Sequence, residues 1–272
     1  MLKTRIMTAL VILPVTLAVV FLAPPLVFKG AMAILLMTGS SEFARISDLS
    51  ANNGRLLLIL QALIFAVLFY YWDTASAHAI TLLAAGCAAW LLLFVRLHSY
   101  QPNAQADGRF RRLGFVSALI ALTFCWFSLS WLQEQVNGTF IVFLLLLIIW
   151  ASDIGAYFSG KQFGRRKLAP VISPNKTWAG VYGGIALALL AAWLWSGPVT
   201  HLGIGPLPLA LITVVTAMTS ICGDLFISLH KRTVKVDDAG KLFPGHGGVL
   251  DRYDSLLSGA PFFALAYGLL VL

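Results

Sequence analysis

The chain has 272 residues, of which 59% are hydrophobic and only 11% are charged, and its mean hydropathy is +0.87. About a quarter of the residues in a soluble globular domain are charged, so this composition excludes that class and predicts a protein embedded in lipid. The formal net charge of +8 does not indicate nucleic-acid binding, because no basic soluble segment remains outside the apolar runs. The three cysteines lie far apart within apolar runs, which predicts neither a disulfide framework nor a cysteine metal site.

Apolar runs long enough to cross a bilayer recur along the whole chain. A helix of about 20 residues spans the hydrocarbon core, and helices are expected because an open sheet edge would leave backbone polar groups unpaired in lipid. The predicted spans are residues 6–23, 25–43, 56–72, 76–95, 114–133, 139–158, 178–197, 206–229 and 256–272. The sequence therefore predicts an all-α polytopic membrane protein with about nine transmembrane helices.

Basic residues predict the orientation of these spans. Lys3 and Arg5 precede the first apolar run as in a signal peptide, but no small-residue cleavage site follows, so we expect a retained helix. If the N-terminus is cytoplasmic, every one of the 19 Lys and Arg residues except Lys29 lies in cytoplasmic segments. The positive-inside rule therefore predicts a cytoplasmic N-terminus and explains most of the net charge.

Two aspartates follow long apolar runs, Asp153 near the end of the sixth span and Asp224 near the end of the eighth. A carboxylate at membrane depth costs about 2.5–3.5 kcal/mol on insertion scales, so it persists where it faces a wet cavity or a positive partner. A structural ion pair with Lys or Arg is one interpretation, and a metal or phosphate site is the other. The charged surroundings favour the second interpretation for Asp224.

Residues 223–255 concentrate charge between the last two apolar runs. They contain five of the 11 acidic residues together with five basic ones: Asp224, Asp237, Asp238, Asp251, Asp254, Lys231, Arg232, Lys235, Lys241 and Arg252. Asp224, Ser228 and Lys231 lie on one helix face because their spacing is i, i+4, i+7, and Asp251 and Asp254 are spaced i, i+3. Clustered carboxylates need a cation to remain ionised, and oxygen ligands beside a phosphate suit magnesium. We therefore predict that Asp224, Asp251 and Asp254 bind Mg²⁺, with room for a second cation such as K⁺.

A glycine-rich connection, Pro244-Gly245-His246-Gly247-Gly248, precedes Asp251. Glycines let successive backbone N–H groups turn toward an anion, although such a run alone is equally an interhelical turn. The neighbouring charges favour phosphate binding. Lys176-Thr177 at a predicted helix start is a second candidate phosphate contact. Glu42 is interpreted as a helix-end carboxylate near Arg45.

These motifs resemble the signature of the phosphatidate cytidylyltransferases, also called CDP-diacylglycerol synthases. The resemblance rests on Ser228-x-x-Lys231-Arg232, Asp238-x-Gly240, Pro244-Gly245-His246-Gly247-Gly248-x-x-Asp251-Arg252-x-Asp254, Ser152-Asp153-x-Gly155-Ala156-Tyr157, Gly160-Lys161, Gly164, Ser173-Pro174-x-Lys176-Thr177 and Gly223-Asp224. It covers residues 150–260, whereas the first half matches only in hydropathy and in Glu42-Phe43. Two positions depart from the family pattern, since Ile227 replaces a Glu and Asp237 replaces a Lys.

The resemblance implies that CTP and phosphatidic acid react to give CDP-diacylglycerol and pyrophosphate with Mg²⁺. A phosphate monoester with a second pKa near 6 is largely ionised at neutral pH, so the reaction needs charge neutralisation and in-line placement and no general base. The implied catalytic residues are Asp224, Lys231, Arg232, Asp251, Arg252 and Asp254, and the implied substrate-binding residues are Asp153, Lys176, Ser228, Gly245, His246, Gly247 and Gly248. We expect one integral membrane domain in a bacterial inner membrane, with N-terminal helices in residues 1–135 and catalytic helices and loops in residues 136–272.

Three alternatives remain open at this point. One is a CTP-dependent lipid kinase or a cytidylyltransferase for another lipid phosphate. A second is an ion-coupled transporter, since intramembrane aspartates also mark ion paths. A third is an inactive relative, because of Ile227 and Asp237. In addition, Gly180, Gly184 and Ala188 recur every four residues, which allows close helix approach either in a homodimer or within one chain.

Overall fold

The computed structural model of the protein describes residues 2–98, 100–101, 104–197 and 204–270, without the side chains of residues 2–7 and 9. Within these residues the chain forms ten helices and one short hairpin. The helices are α1 (Leu2–Leu22), α2 (Pro25–Ile46), α3 (Ala51–Tyr70), α4 (Trp72–Ala77), α5 (Ala79–His98), α6 (Gly108–Glu134), α7 (Gly138–Phe163), α8 (Trp178–Leu194), α9 (Pro206–Thr233) and α10 (Leu250–Leu270). The strands are β1 (Lys167–Ala169) and β2 (Ser173–Thr177).

Six of the described helices, α2, α3, α5, α6, α7 and α9, are long and apolar enough to cross a membrane. Residues Leu10–Leu22 of α1 and the whole of α8 form shorter apolar helices. The prediction of a helical, multi-pass membrane protein is therefore confirmed. The count of nine spans and their orientation remain predictions, and the last two residues of the ninth predicted span, 271–272, lie outside the described part of the chain.

Several helices begin earlier than the apolar runs predicted, because polar side chains cap them. The Ser50 hydroxyl accepts a hydrogen bond from the Asn53 amide, so α3 begins at Ala51. The Asp107 carboxylate accepts one from the Phe110 amide at 2.6 Å, so α6 begins at Gly108. A cap satisfies backbone N–H groups that have no partner in the first turn, and it extends a helix beyond its apolar part.

The loop after the sixth predicted span contains an antiparallel hairpin that the sequence analysis did not predict. Residue Lys167 of β1 pairs with Thr177 of β2, and Ala169 pairs with Ser173. The Thr177 hydroxyl then accepts a hydrogen bond from the Gly180 amide at 3.1 Å and caps α8. The hairpin and this cap therefore fix the position of Lys176, the residue before Thr177, relative to the start of α8.

Small residues bring α7 and α8 into close contact. Gly180, Gly184 and Ala188 of α8 are buried, and a Cβ atom at Gly184 would lie 2.7 Å from the carbonyl oxygen of Ser152 in α7. The small-residue stripe thus serves packing within one chain, which is the second of the two interpretations above. A homodimer remains a prediction without support from this stripe.

Helices α9 and α10 also lie against each other. The Ser258 hydroxyl of α10 donates a hydrogen bond to the Thr219 carbonyl of α9 at 2.7 Å. Gly223 of α9 faces Ser258 and the backbone of Asp254, leaving no space for a side chain. This contact brings Asp224, the next residue along α9, beside the acidic turn of α10.

Candidate active site

One cavity of about 420 Å³ collects side chains from α7, β2, α9 and α10. Its polar lining includes Asp153, Lys176, Asp224, Asp251, Arg252 and Asp254. We call it the charged cavity. The charged cavity therefore brings together residues that are far apart in sequence. The sequence analysis identified them in separate motifs.

Asp224 is held by two side chains in this cavity. The Lys176 ammonium lies 2.6 Å from Asp224 Oδ2, and the Ser228 hydroxyl donates to Asp224 Oδ1 at 3.2 Å. Burial disfavours the charged form of Lys176, but the carboxylates of Asp224, Asp153 and Asp254 together more than offset this and raise the pKa of Lys176 above its ordinary value. Lys176 is thus a charged group at neutral pH, and the predicted shared face of Asp224 and Ser228 is confirmed.

Asp251 has a different environment, because its carboxylate joins the end of α9 to two parts of the loop before α10. Its Oδ1 accepts a hydrogen bond from Lys231 at 2.7 Å, and its Oδ2 accepts from the amides of Ala239 and Gly248, each at 2.8 Å. The Asp251 side chain is only 3% exposed. A buried carboxylate with this many donors fixes the loop conformation, a role that the sequence analysis did not assign to it.

Three carboxylates, those of Asp153, Asp224 and Asp254, interact electrostatically with one another and with Lys176. Asp254 Oδ1 also accepts a hydrogen bond from the Ser255 amide at 2.8 Å. Among the described residues, no three acidic, His or Cys side chains form a group ready to hold a metal ion. The cluster sets three carboxyl groups beside Lys176 and Arg252, and a bound cation would favour the ionised forms of these carboxyl groups.

The glycine-rich connection lines a second cavity of about 520 Å³, which we call the glycine-loop cavity. Gly245 and Gly247 have φ of 75° and 82°, a region that side chains disfavour, so glycine is required at both turns. The Arg252 guanidinium donates to the His246 carbonyl at 3.1 Å and lies between this cavity and the charged cavity. Arg252 can therefore face an anion in either space.

The amides of this connection point partly away from the cavity that it lines. The Gly248 amide donates to Asp251, and the His246 amide donates to the Phe243 carbonyl at 2.9 Å. We predicted that the amides of the run 244–248 turn toward a phosphate. In this conformation the Gly248 amide is engaged by a carboxylate of the protein instead, because Asp251 needs donors where it is buried.

Glu42 is a site residue whose role the sequence analysis missed. Its two carboxylate oxygens accept hydrogen bonds from the amides of Val249 and Leu250 at 2.9 and 2.8 Å, which caps α10. Arg45, expected to be its neighbour at the helix end, donates to the Ala239 carbonyl at 3.3 Å. The end of α2 therefore contacts both ends of the loop segment from Ala239 to Val249 that precedes Asp251. The family match at Glu42-Phe43 was the available signal.

We expect Glu42→Gln to loosen this loop, because the NH2 group of the glutamine side chain is a donor and would face one of the two backbone amides that donate to Glu42. Hydrogen bonds to charged groups contribute about 1.5–3 kcal/mol, so hydrogen exchange at Val249 and Leu250 should accelerate by about tenfold or more. Hydrogen-exchange mass spectrometry of the purified protein measures this. Asp48→Asn, which alters an exposed pair with Arg111, is the control. Unchanged exchange in the Glu42 variant would contradict the capping role.

Two other positions of the signature lie away from the charged cavity. Arg232 pairs with Asp237 at 3.5 Å, and their side chains are 45% and 98% exposed. Arg232 lines neither the charged cavity nor the glycine-loop cavity, so the structure does not bring this predicted catalytic residue to the others. Ile227, which replaces an acidic residue of the family pattern, is fully buried in the apolar core.

Comparison with known proteins adds full-length matches. The model of the family described as "Cytidylyltransferase family" matches residues 3–270. The phosphatidate cytidylyltransferase of Pseudomonas aeruginosa is 40% identical over 265 residues, covering 97% of this chain and 96% of the relative. Those of Haemophilus influenzae and Bacillus subtilis are 31% and 36% identical, covering 98% and 96% of this chain and 99% and 95% of the relatives.

Proposed function

Because this chain belongs to the cytidylyltransferase family, we propose that it transfers CMP from CTP to phosphatidic acid. A phosphate oxygen of the lipid attacks the α-phosphorus of CTP, the bond from that phosphorus to the β-phosphate oxygen breaks, and pyrophosphate leaves. The products are CDP-diacylglycerol and pyrophosphate. The observation that carries the proposal is the charged cavity, where Lys176, Asp224 and Arg252 face one another in a membrane protein.

Charge neutralisation is the main contribution of this chain to the reaction. Both reactants are anions, and the lipid phosphate is already largely ionised at neutral pH, so no general base is required. Lys176 and Arg252 line the charged cavity, and Lys231 reaches it through Asp251. These cations would neutralise the phosphates and align the attacking oxygen, whereas Arg232 would act on the approaching nucleotide from outside the cavity.

The residues of the charged cavity fit a magnesium ion. Mg²⁺ is a hard cation that takes carboxylate oxygens and keeps several waters and substrate phosphate oxygens. Asp224 and Asp254, with Asp251 as a further ligand, would hold it, and the surplus of carboxylates over Lys176 favours its binding. When bound, the ion supplies positive charge to the triphosphate. Asp251 would join only if Lys231 turned from it toward a substrate phosphate.

The same proposal includes the arrangement in the membrane. We propose nine spans with a cytoplasmic N-terminus in a bacterial inner membrane, because Lys and Arg then gather on one side. The charged cavity would open to the cytoplasm, where CTP is available. An ion-coupled transporter fits less well, because the charged cavity sets Lys176 and Arg252 beside its aspartates, as the binding of phosphates requires.

Removal of divalent cations should abolish the activity. We expect purified protein with CTP and phosphatidic acid to release pyrophosphate with Mg²⁺, to stop with EDTA, and to resume when Mg²⁺ is returned. Asp224→Asn should need a higher Mg²⁺ concentration for half-maximal rate, since it removes one charged ligand. Full turnover in the presence of the chelator would contradict the magnesium assignment, and no pyrophosphate from wild-type protein would contradict the proposed function.

A further inference from the structure

An apolar groove adjoins the charged cavity along one side of α1. Its first part, a cavity of about 270 Å³, shares Asp153 and Arg252 with the charged cavity and also contacts His246. Its second part, about 290 Å³, shares Thr16 and Tyr253 with the first. The two parts, which we call the apolar groove, are therefore adjacent, and together they extend from Arg252 toward the apolar interior of the protein.

The groove has the walls of a hydrocarbon site. The side chains lining its second part are aliphatic or aromatic, and only Thr16 and Tyr253 among them carry a polar group. Along α1 it extends from Val11 to Val20, which is about 14 Å at 1.5 Å per residue. Val20 and Phe28, which line only the second part, are buried, at 3% and 1% exposed.

Two polar contacts attach α1 to the charged end of this groove. The Thr8 hydroxyl donates to the Pro244 carbonyl at 2.8 Å, which joins α1 to the glycine-rich connection. The side chains of Thr16 and Tyr253, which line both parts of the groove, interact where those parts meet. Helix α1 is thereby the outer wall of the groove, and Val11 and Val15 on it are 62% and 56% exposed. The groove can therefore admit a chain from the surrounding lipid.

A molecule that fits this shape has a charged head and a long apolar chain. CTP has no apolar chain to fill the groove, whereas the acceptor in the proposed reaction has both parts. Arg252 lies where the groove meets the charged cavity. If Arg252 binds the phosphate of a lipid, an acyl chain of that lipid can extend into the groove. Ligand sites of this kind combine apolar walls with a few polar groups that fix orientation.

We propose that the apolar groove binds one acyl chain of phosphatidic acid, and that Val19 and Ala31 help to set which acyl chains are accepted. This inference rests on the proposed function. Val19 on α1 and Ala31 on α2 both line the second part of the groove, beyond Thr16 as seen from Arg252. A short acyl chain would end before these residues, whereas a long chain would contact them.

The test fills the groove and compares acceptors of different chain length. Ala31→Phe and Val19→Phe are each assayed with dioleoyl and dihexanoyl phosphatidic acid in detergent micelles. A misfit in an apolar pocket costs about 10- to 200-fold in kcat/KM, so both variants should lose about tenfold or more with dioleoyl acceptor. Activity with dihexanoyl acceptor and the KM for CTP should stay unchanged. Ala18→Phe adds the same bulk on the exposed side of α1, outside the groove, and should alter neither acceptor.

The outcomes distinguish a failure of the acyl-chain assignment from a failure of the proposed function. Retained activity with the short acceptor shows that a variant is folded and that its charged cavity works. Equal losses with both acceptors in both groove variants, or no change with either, would overturn the acyl-chain assignment and indicate that ordinary bilayer lipid fills the groove. If wild-type protein used neither phosphatidic acid, the proposed function would fail instead.

Discussion

Replacement of Asp251 by asparagine should lower kcat by about 100-fold or more and also destabilise the protein. Asparagine keeps one acceptor oxygen and replaces the other with an NH2 group that cannot accept hydrogen bonds, so either Lys231 or the amides of Ala239 and Gly248 lose their acceptor. Removing one partner of a buried ion pair costs about 3–5 kcal/mol, because the remaining charge is buried without compensation. A rate loss of 100-fold corresponds to about 2.7 kcal/mol in the transition state, and we expect it because Lys231 and the loop before α10 lose their fixed positions beside the charged cavity.

The measurement is the initial rate of pyrophosphate release with CTP, Mg²⁺ and phosphatidic acid, together with the midpoint of thermal unfolding. Asp237→Asn is the matched control, because Asp237 lies in the same segment and its side chain is 98% exposed. Exposed pairs contribute little to stability, so this control should retain both rate and midpoint. If Asp251→Asn behaved like the control, Asp251 would neither fix the loop nor take part in the site.

Replacement of Lys176 by methionine should have the second largest effect, and it should act on two quantities in opposite directions. The rate should fall by about 100-fold, because the cation that faces the triphosphate is lost. Binding of Mn²⁺ in the absence of nucleotide should become tighter, because Asp153, Asp224 and Asp254 lose the positive charge that balances them. Methionine keeps most of the side-chain length, so the change is mainly one of charge.

Rate assays and Mn²⁺ titration followed by electron paramagnetic resonance measure both quantities. Lys167→Met removes an exposed lysine from β1 of the same hairpin, and it should change neither. Weaker Mn²⁺ binding in the Lys176 variant would mean that the lysine supports the cation site through structure. An unchanged rate would show that Lys176 does not neutralise the phosphates.

The parts of the site that follow from local spacing were predictable from the sequence. Asp224 and Ser228 are one helical turn apart, and their side chains do form a hydrogen bond. The spacing of Asp251 and Asp254 likewise places both on the first turns of α10, where they line one cavity. Hydropathy also predicted helices across the membrane, because an apolar run of this length can pair its backbone polar groups in lipid by forming a helix.

The contacts that complete the site could not be predicted, because they join residues distant in sequence. Glu42 and Leu250 are 208 positions apart, and no periodic pattern relates a carboxylate at the end of one helix to the start of another. The Lys176–Asp224 pair depends on the hairpin, whose strands lack the alternation of apolar and polar residues that predicts a strand. Helix starts were misplaced for a related reason, since caps such as Asp107 lie outside the apolar runs.

The most direct test determines which phosphate of CTP, the α- or the γ-phosphate, is transferred to the lipid product. Purified protein is incubated with Mg²⁺, phosphatidic acid and CTP labelled at either the α- or the γ-phosphate, with Asp224→Asn as the comparison. We expect the α-label in the lipid fraction and the γ-label only in pyrophosphate. In the variant, little α-label should reach the lipid and little γ-label should appear in pyrophosphate. Label from the γ-phosphate in the lipid would contradict cytidylyl transfer and indicate a lipid kinase. Full α-label transfer by the variant would contradict the role given to the charged cavity.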